Sequence, residues 1–370
     1  MAEQVGRAAL PPGSTIGILG GGQLGRMLAL AAARLGFRCH VFCPDPRSPA
    51  FDVSAAHTIA AYDEFEALDC FAAAVDVATW EFENVDLAAV ERLATTIPVR
   101  PGGAGLATAQ DRLAEKRFLT GAGIAVAPFA SVGSEADFAT AGAVTGFPAI
   151  LKARRFGYDG KGQRRVGTSA DLQVAFIELG RAPAILERVV AFEREISVVA
   201  VRGLAGEVAA YDAAENVHED HILRTSTVPA AVAQQTAAAA ALVSSRIAAA
   251  LGHVGVLAVE FFVVPGSGAE ALLVNEIAPR VHNSGHWTED ACAVSQFENH
   301  VRAVAGWPLG PTGRHHDAEM TNMIGEDVAR WASLAADPGA RLHLYGKASV
   351  RPGRKMGHVN RLFARHDRGH

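Results

Sequence analysis

Residues 271–287 read Ala-Leu-Leu-Val-Asn-Glu-Ile-Ala-Pro-Arg-Val-His-Asn-Ser-Gly-His-Trp. The apolar opening, Ala271–Val274, has strand character, and the rest packs a carboxylate, a guanidinium, two imidazoles and two amides. A buried strand that ends in a polar, glycine-containing loop is a common place for chemistry, because the scaffold fixes the loop while its side chains stay accessible. Just upstream, Val256–Val264 is apolar apart from Glu260, and Glu270–Asn275 follows across Pro265-Gly266-Ser267-Gly268. That spacing predicts an antiparallel hairpin with Glu276 ending its second strand. A carboxylate inside an apolar run needs a partner or a metal. Glu260 and Glu276 on adjacent strands are therefore a candidate magnesium pair, with a buried salt bridge as the plain alternative. Arg280, His282 and Asn283 could hold an anion beside them, which points to phosphoryl chemistry.

Working outward, Glu195–Arg202 and Glu207–Tyr211 read as another hairpin, closed by Gly203 and Gly206. Hairpins in place of crossovers predict an α+β region with an antiparallel sheet. The first hundred residues differ. Thr15–Leu19, Arg38–Phe42, Val75–Trp80 and Val99–Arg100 read as strands, with helices at Arg26–Leu35 and Leu87–Thr95, which predicts a parallel α/β sheet. A single helix is expected from Ala107 to Thr120, followed by strands at Ala149–Ala153 and Ala184–Glu187. A small module follows Pro308–Gly313. No internal repeat is evident.

Composition narrows the function classes. The chain has 370 residues, 49% hydrophobic and 20% charged, with a formal charge of −5. This suits a soluble globular protein of two or three domains and gives no general basic field for nucleic acid. Cys39, Cys43, Cys70 and Cys292 show no paired spacing, so a reduced, cytoplasmic setting is expected. Met1–Gly13 has no apolar signal core. The Ala-rich Thr236–Gly252 is interrupted by Ser244, Ser245 and Arg246, so it predicts a buried amphipathic helix and no membrane span.

Gly20-Gly21-Gly22-Gln23-Leu24-Gly25 satisfies a dinucleotide pattern after a strand, with Asp45 downstream. Physically it offers backbone N–H groups to a phosphate of any ligand. A nicotinamide-dependent oxidoreductase is the distant alternative that this loop supports. Gly157-Tyr158-Asp159-Gly160-Lys161-Gly162-Gln163 follows the strand carrying Lys152 and could fold over a triphosphate. Glu187-Arg188-Val189-Val190 and Glu195 could grip a nucleotide, although such residues at a strand end are usually solvated. Lys347 and Arg351–Lys355, including Arg354, could bind a substrate phosphate or be merely solvated. His218 and His221 lack a third ligand at zinc spacing.

Taken together, these motifs resemble the ATP-grasp superfamily, and within it the 5-(carboxyamino)imidazole ribonucleotide synthases of purine biosynthesis. The resemblance runs over nearly the whole chain. Its most specific pieces are Gly20–Met27, Gly157–Gln163, Ile222–Ser226, Asn275–Trp287 and Arg351–His358. It implies a Rossmann-like domain (1–105), an ATP-grasp domain (106–305, lid about 125–190) and a small C-terminal β module (306–370), assembled as a homodimer. It implies ATP at Arg112, Lys152, Gly157–Gln163, Glu187–Val190, Glu195, His218, Asn275 and Glu276, and magnesium at Glu260 and Glu276. The aminoimidazole ribonucleotide is expected near Gly22, Gln23, Leu24, Tyr158, Asp159, Lys347 and Arg354. Carboxyphosphate is expected at Arg280, His282 and Asn283. Asp159 is the candidate for orienting the substrate amine, and Lys161 for stabilising transferred phosphoryl charge. Gln110 departs from the Asn expected before Asp111-Arg112. A formate-dependent glycinamide ribonucleotide transformylase is the alternative within the superfamily.

Overall fold

A computed structural model describes residues 9–155, 157, 162–266 and 270–365. The strands in chain order are β1 (Thr15–Leu19), β2 (Arg38–Phe42), β3 (Ala56–Thr58), β4 (Val77–Trp80), β5 (Phe129–Val132), β6 (Ala149–Ala153), β7 (Gln163–Val166), β8 (Ala184–Arg188), β9 (Arg194–Arg202), β10 (Val208–Ala210), β11 (Ala214–Glu219), β12 (Ile222–Val228), β13 (Gly255–Val264), β14 (Ala271–Ala278), β15 (Asp317–Ile324), β16 (Ala340–Leu344) and β17 (Lys355–Phe363). Among the described residues they form three sheets.

The first sheet is parallel, in the order β3-β2-β1-β4. The helix Gln23–Arg34 covers it, burying Leu24, Met27, Leu28, Ala31 and Ala32, an apolar face at helical spacing. The smallest sheet, β5-β8-β6-β7, is antiparallel and encloses its own core of Val132, Leu151, Leu172, Phe176 and Leu186. The largest runs β14-β13-β9-β11-β12-β15-β17-β16, with β10 on β9. Leu257, Val259, Phe261 and Val263 of β13 pack on one side of that sheet, and Val256 and Ala258 on the other. Full burial of each larger side chain contributes roughly 1.5–3 kcal/mol. The helix Gln234–Ala250 lies on the first of these faces through Ala240, Ile247 and Ala248. Among the described residues, no helix is long and apolar enough to cross a membrane.

Three findings sharpen the sequence reading. First, β15, β16 and β17 continue the central sheet through the β12–β15 ladder, so the carboxy-terminal segment has no separate sheet. Second, the helix expected over Ala107–Thr120 is two helices, Gly103–Ala109 and Arg112–Gly121. Asp111 causes the break. Its backbone leaves helical angles at φ −131, and its carboxylate accepts the N–H groups of Leu113 and Ala114. Such an N-cap replaces hydrogen bonds that the first helical turn lacks. The same carboxylate pairs with the Arg154 guanidinium at 2.6 and 3.0 Å. Third, β14 runs on to Ala278, which places Glu276 inside the strand and not at its end.

Asp111 thus ties two helices to the neighbouring sheet. Asp111→Ala should lower unfolding stability by about 1–3 kcal/mol, from the lost cap and the lost charged hydrogen bonds. Urea denaturation would show it, and a midpoint equal to wild type would refute this role.

Candidate functional site

A cleft of about 380 Å³ is lined by side chains from the two antiparallel sheets, by Arg112 and Glu115, by the loop after β14, and by Glu83 and Asn84 beyond β4. Its floor is the β13–β14 ladder, where Glu260 stands opposite Glu276 beside an irregularity at Glu260/Phe261. Strand alternation would normally pair two apolar residues there. Burial together with the Glu276 charge pushes the Glu260 carboxyl well above the usual range. Burial would raise Glu276 too, but Arg112, 3.3 Å away, and Lys152 hold it below that range. Two facing carboxylates, Glu260 mostly buried and Glu276 open to the cleft, form a donor set that suits a divalent cation.

His282 approaches the pair, with Nε2 at 3.6 Å from Glu260 Oε1. Its Nδ1 accepts from the Ser284 N–H at 3.3 Å and lies 2.9 Å from Ser284 Oγ. That assigns the ring proton to Nε2. Burial first, and the Arg280 charge second, push its pKa well below the ordinary 6.5, so the ring is neutral. His282 is therefore a fixed donor near neutral pH. Arg280 Nε lies 2.8 Å from Glu83 Oε2. Asn283 and Asn322 exchange side-chain amide hydrogen bonds at 3.0 and 2.7 Å, so the Asn283 amide is already engaged inside the protein.

The opposite wall is cationic. Lys152 Nζ is 3.1 Å from Glu187 Oε2 and Lys116 Nζ is 3.7 Å from it. Burial would raise Glu187, but the two lysines hold its carboxyl down at about 2. Lys116, itself buried, also donates to the backbone carbonyl of Asn275 at 2.5 Å. Beyond Glu187 the chain is pinned by Arg188, which donates to Thr145 O at 2.6 Å, and by Val189 N–H, which donates to Pro148 O at 3.0 Å. Val190 follows directly. Glu195 Oε2 is 2.7 Å from His218 Nδ1. Burial lowers the His218 pKa, yet Glu195 outweighs it and the net shift is upward.

The glycine loop has a different use from the one its pattern offers. Glu81 lies beneath it and its carboxylate accepts the N–H groups of Gly22 and Gly25. Two donors that the pattern assigns to a phosphate are thus taken by a side chain. Gly20 has φ +104, and a Cβ there would run into Glu81. Arg280 and Lys347 both act on the Glu81 carboxylate. Burial and the neighbouring Arg354 pull the Lys347 pKa to about 8. Arg354 Nη1 is held by Ser349 O and Oγ at 2.9 and 2.8 Å. Leu24 has its side chain in the core, so only its backbone faces outward, while Gln23 is partly exposed.

Of the remaining expected residues, Gly157 O accepts from Arg112 Nη2 at 3.3 Å, and Gln163 pairs with Lys152 across β6–β7. Gly162 lies in the turn before β7. Tyr158, Asp159, Gly160 and Lys161 lie outside the described residues. Sequence reasoning missed Glu81, Glu83, Lys116 and Asn322, whereas Lys355, part of the expected basic cluster, lines the cleft. Only Glu81 carried a usable signal, since it follows the apolar Val77–Trp80 as Glu276 follows Ala271–Val274.

Three family models match this chain. They are the ribonucleotide synthetase preATP-grasp domain over residues 14–110, the ATP-grasp domain over 117–297, and the phosphoribosylaminoimidazole carboxylase C-terminal domain over 318–368. The N5-carboxyaminoimidazole ribonucleotide synthase of Brucella melitensis is 52% identical, covering 97% of this chain and 99% of that one. The Pseudomonas aeruginosa enzyme of the same name is 46% identical over 93% of each. Among solved structures, N5-carboxyaminoimidazole synthetase from Staphylococcus aureus complexed with ADP superposes with a TM-score of 0.91, at 35% identity over 97% of this chain and 95% of that one. The Aspergillus clavatus synthase in complex with ADP and 5-aminoimidazole ribonucleotide gives 0.87, at 33% identity over 95% and 94%.

One buried group of the cleft wall yields a pH prediction. Glu115 accepts the Ile277 N–H at 2.5 Å, and burial pushes its carboxyl from 4.5 up to about 7. Between those values the folded state binds more protons than the unfolded one. Stability therefore falls as pH rises through that window. Glu115→Gln keeps an acceptor and does not titrate. Its melting temperature should match wild type near pH 4.5 and exceed it by several degrees at pH 8. A constant difference across the window would contradict this.

Proposed function

The chain belongs to the N5-carboxyaminoimidazole ribonucleotide synthase family of ATP-grasp ligases, and from that premise we propose how its own residues divide the reaction. It carboxylates the exocyclic amine of 5-aminoimidazole ribonucleotide with bicarbonate and ATP, through carboxyphosphate, and releases ADP and phosphate. The observation that carries the division of labour is the opposed pair Glu260 and Glu276, with lysines on one side and the Glu81–Lys347 group on the other.

ATP lies on the Lys152 side. Lys152 and Arg112 neutralise its phosphates, and the Glu187–Val190 segment borders the base through backbone groups. Glu187 holds Lys152 in place, a different use from gripping the ribose. Glu195 and His218 stand at the nucleotide's edge, with Asn275 beside them. Gly157, Tyr158, Gly160, Gly162 and Gln163 belong to the loop over the triphosphate, and Lys161 stabilises transferred phosphoryl charge. Glu260 and Glu276 would hold magnesium, which when bound supplies charge neutralisation on the phosphates.

Bicarbonate attacks the γ-phosphorus, and the resulting carboxyphosphate lies against Arg280. The neutral His282 offers its Nε2–H to the same anion. Asn283 acts through backbone and shape, its amide being tied to Asn322. The ribonucleotide occupies the end formed by Gly22, Gln23, Leu24, Lys347 and Arg354, and Glu81 belongs to that end. Carboxyphosphate breaks at its C–O bond to carbon dioxide and phosphate, and Asp159 orients the amine and takes its proton as the nitrogen bonds to the carbon dioxide. Enclosure limits hydrolysis of the intermediate. The same reading takes in a cytoplasmic homodimer, supported by the family resemblance.

Arg280→Ala should leave the KM for ATP within a few-fold and lower carboxylation kcat by about 100-fold or more. Glu276→Gln should weaken both nucleotide binding and turnover. Product analysis with labelled bicarbonate separates these effects. Near-normal synthesis by Arg280→Ala would rule out its assignment, and turnover dependent on formate and glycinamide ribonucleotide would overturn the reaction itself.

A further inference from the structure

Away from the cleft, where the short helix Thr288–Ala291 meets β16 and β17, lies a second group of ionisable side chains that the reaction does not use. Glu289 Oε2 is 3.6 Å from His358 Nε2 and 3.7 Å from His343 Nδ1. These three atoms all lie within 4.8 Å of one another. The separations from Glu289 are too long for hydrogen bonds. They are near the distance of about 3.3 Å that separates two ligands of a tetrahedral ion bound at roughly 2.0 Å. Glu289 Oε2 and His358 Nε2 have no hydrogen-bond partner, and His358 is fully buried.

The far side of each imidazole is held. His343 Nε2 is 2.7 Å from Asp290 Oδ2, which also accepts from Asn360 Nδ2 at 2.7 Å. His358 Nδ1 is 2.9 Å from the Tyr345 hydroxyl, whose oxygen can accept the Nδ1–H and leave the Nε2 lone pair free. A histidine fixed through one nitrogen by a carboxylate or hydroxyl, with the other left over, is the arrangement that supports metal ligation.

We infer that Glu289, His343 and His358 form a binding site for a zinc-class divalent ion, separate from the ATP cleft. Imidazole-rich donors favour zinc, nickel or copper over magnesium, which prefers oxygen. The His343 and His358 rings stack 4.4 Å apart and 4° from parallel, so their lone pairs run side by side. Binding requires one ring to tilt, and His343, whose side chain is 27% exposed, has room to do so. The ion would clamp the segment after Arg280–Trp287 to the two strands flanking Lys347–Lys355. It would act as a structural brace and not as a participant in phosphoryl transfer.

The test uses the full chain, stripped with EDTA and then saturated with magnesium and ADP to fill the cleft. Zinc chloride is the probe, titrated against a chromophoric chelator. Wild type should bind one equivalent and melt several degrees higher. His343→Gln or Glu289→Gln should weaken binding by about 100-fold, and Asp290→Asn by about 10-fold. Cobalt in place of zinc should give visible bands of tetrahedral intensity that these variants lose. His343 is partly exposed, which favours folding of its variant, and Asp290→Asn leaves all three ligands present. Equal zinc affinity in wild type and His343→Gln would overturn the proposal. So would zinc binding abolished by Glu276→Gln alone, or a melting temperature that responds to pH but not to zinc.

Discussion

Two carboxylates of like charge, Glu260 and Glu276, face each other across neighbouring strands, and the cleft is organised around that repulsion. Unit charges roughly 5 Å apart repel by about 3 kcal/mol at an effective dielectric near 20. Arg112 relieves one member, and the raised proton affinity of Glu260 relieves the other. The inverse arrangement lies close by. There a single carboxylate, Glu187, is gripped by two lysines. The two arrangements meet where Lys116 donates to the carbonyl of Asn275, the residue before Glu276. A strand otherwise largely apolar thereby brings one carboxylate beside arginine and lysine in a partly shielded space.

Much of this was legible in the sequence. Glycine and proline punctuation around Val256–Val264 and Glu195–Arg202 marked the hairpins, because turn residues and strand alternation are local properties. Glu260 stood out as an acid in an apolar run. What could not be read are partners supplied from a distance. Glu83 holds Arg280, Asn322 holds the Asn283 amide, and Lys116 holds Glu187. Each comes from a segment tens of residues away or more, and nothing local distinguishes it from an ordinary surface residue. The break at Asp111 was missed for a related reason. An acidic residue within a helical stretch is compatible with continuation, and the Arg154 that also pairs with its carboxylate lies 43 residues away.

The glycine loop shows how a pattern and its use can separate. Gly20–Gly25 meets every positional requirement of a dinucleotide fingerprint, yet Glu81 accepts two of its N–H groups. Burial pushes the Glu81 carboxyl above its ordinary range, while the two N–H groups and the charges of Arg280 and Lys347 work against that rise. The backbone is the same one that elsewhere receives a phosphate, but here two of its N–H groups hold a buried acid.

The order of strands in the large sheet bears on how the chain is made. β17 is inserted between β15 and β16, and that pair of ladders holds together the segment carrying Lys347 and Arg354. During synthesis the nucleotide-binding half can acquire its helices and hairpins while β15 still offers an unpaired edge. Such an edge is a template for the wrong partner until Lys355–Phe363 leaves the ribosome. Lys347 and Arg354 are therefore translated after the strands that carry Glu260 and Glu276. A nascent chain gains the wall of Lys152, Glu260 and Glu276 before the Lys347–Arg354 segment has strands on both sides to hold it.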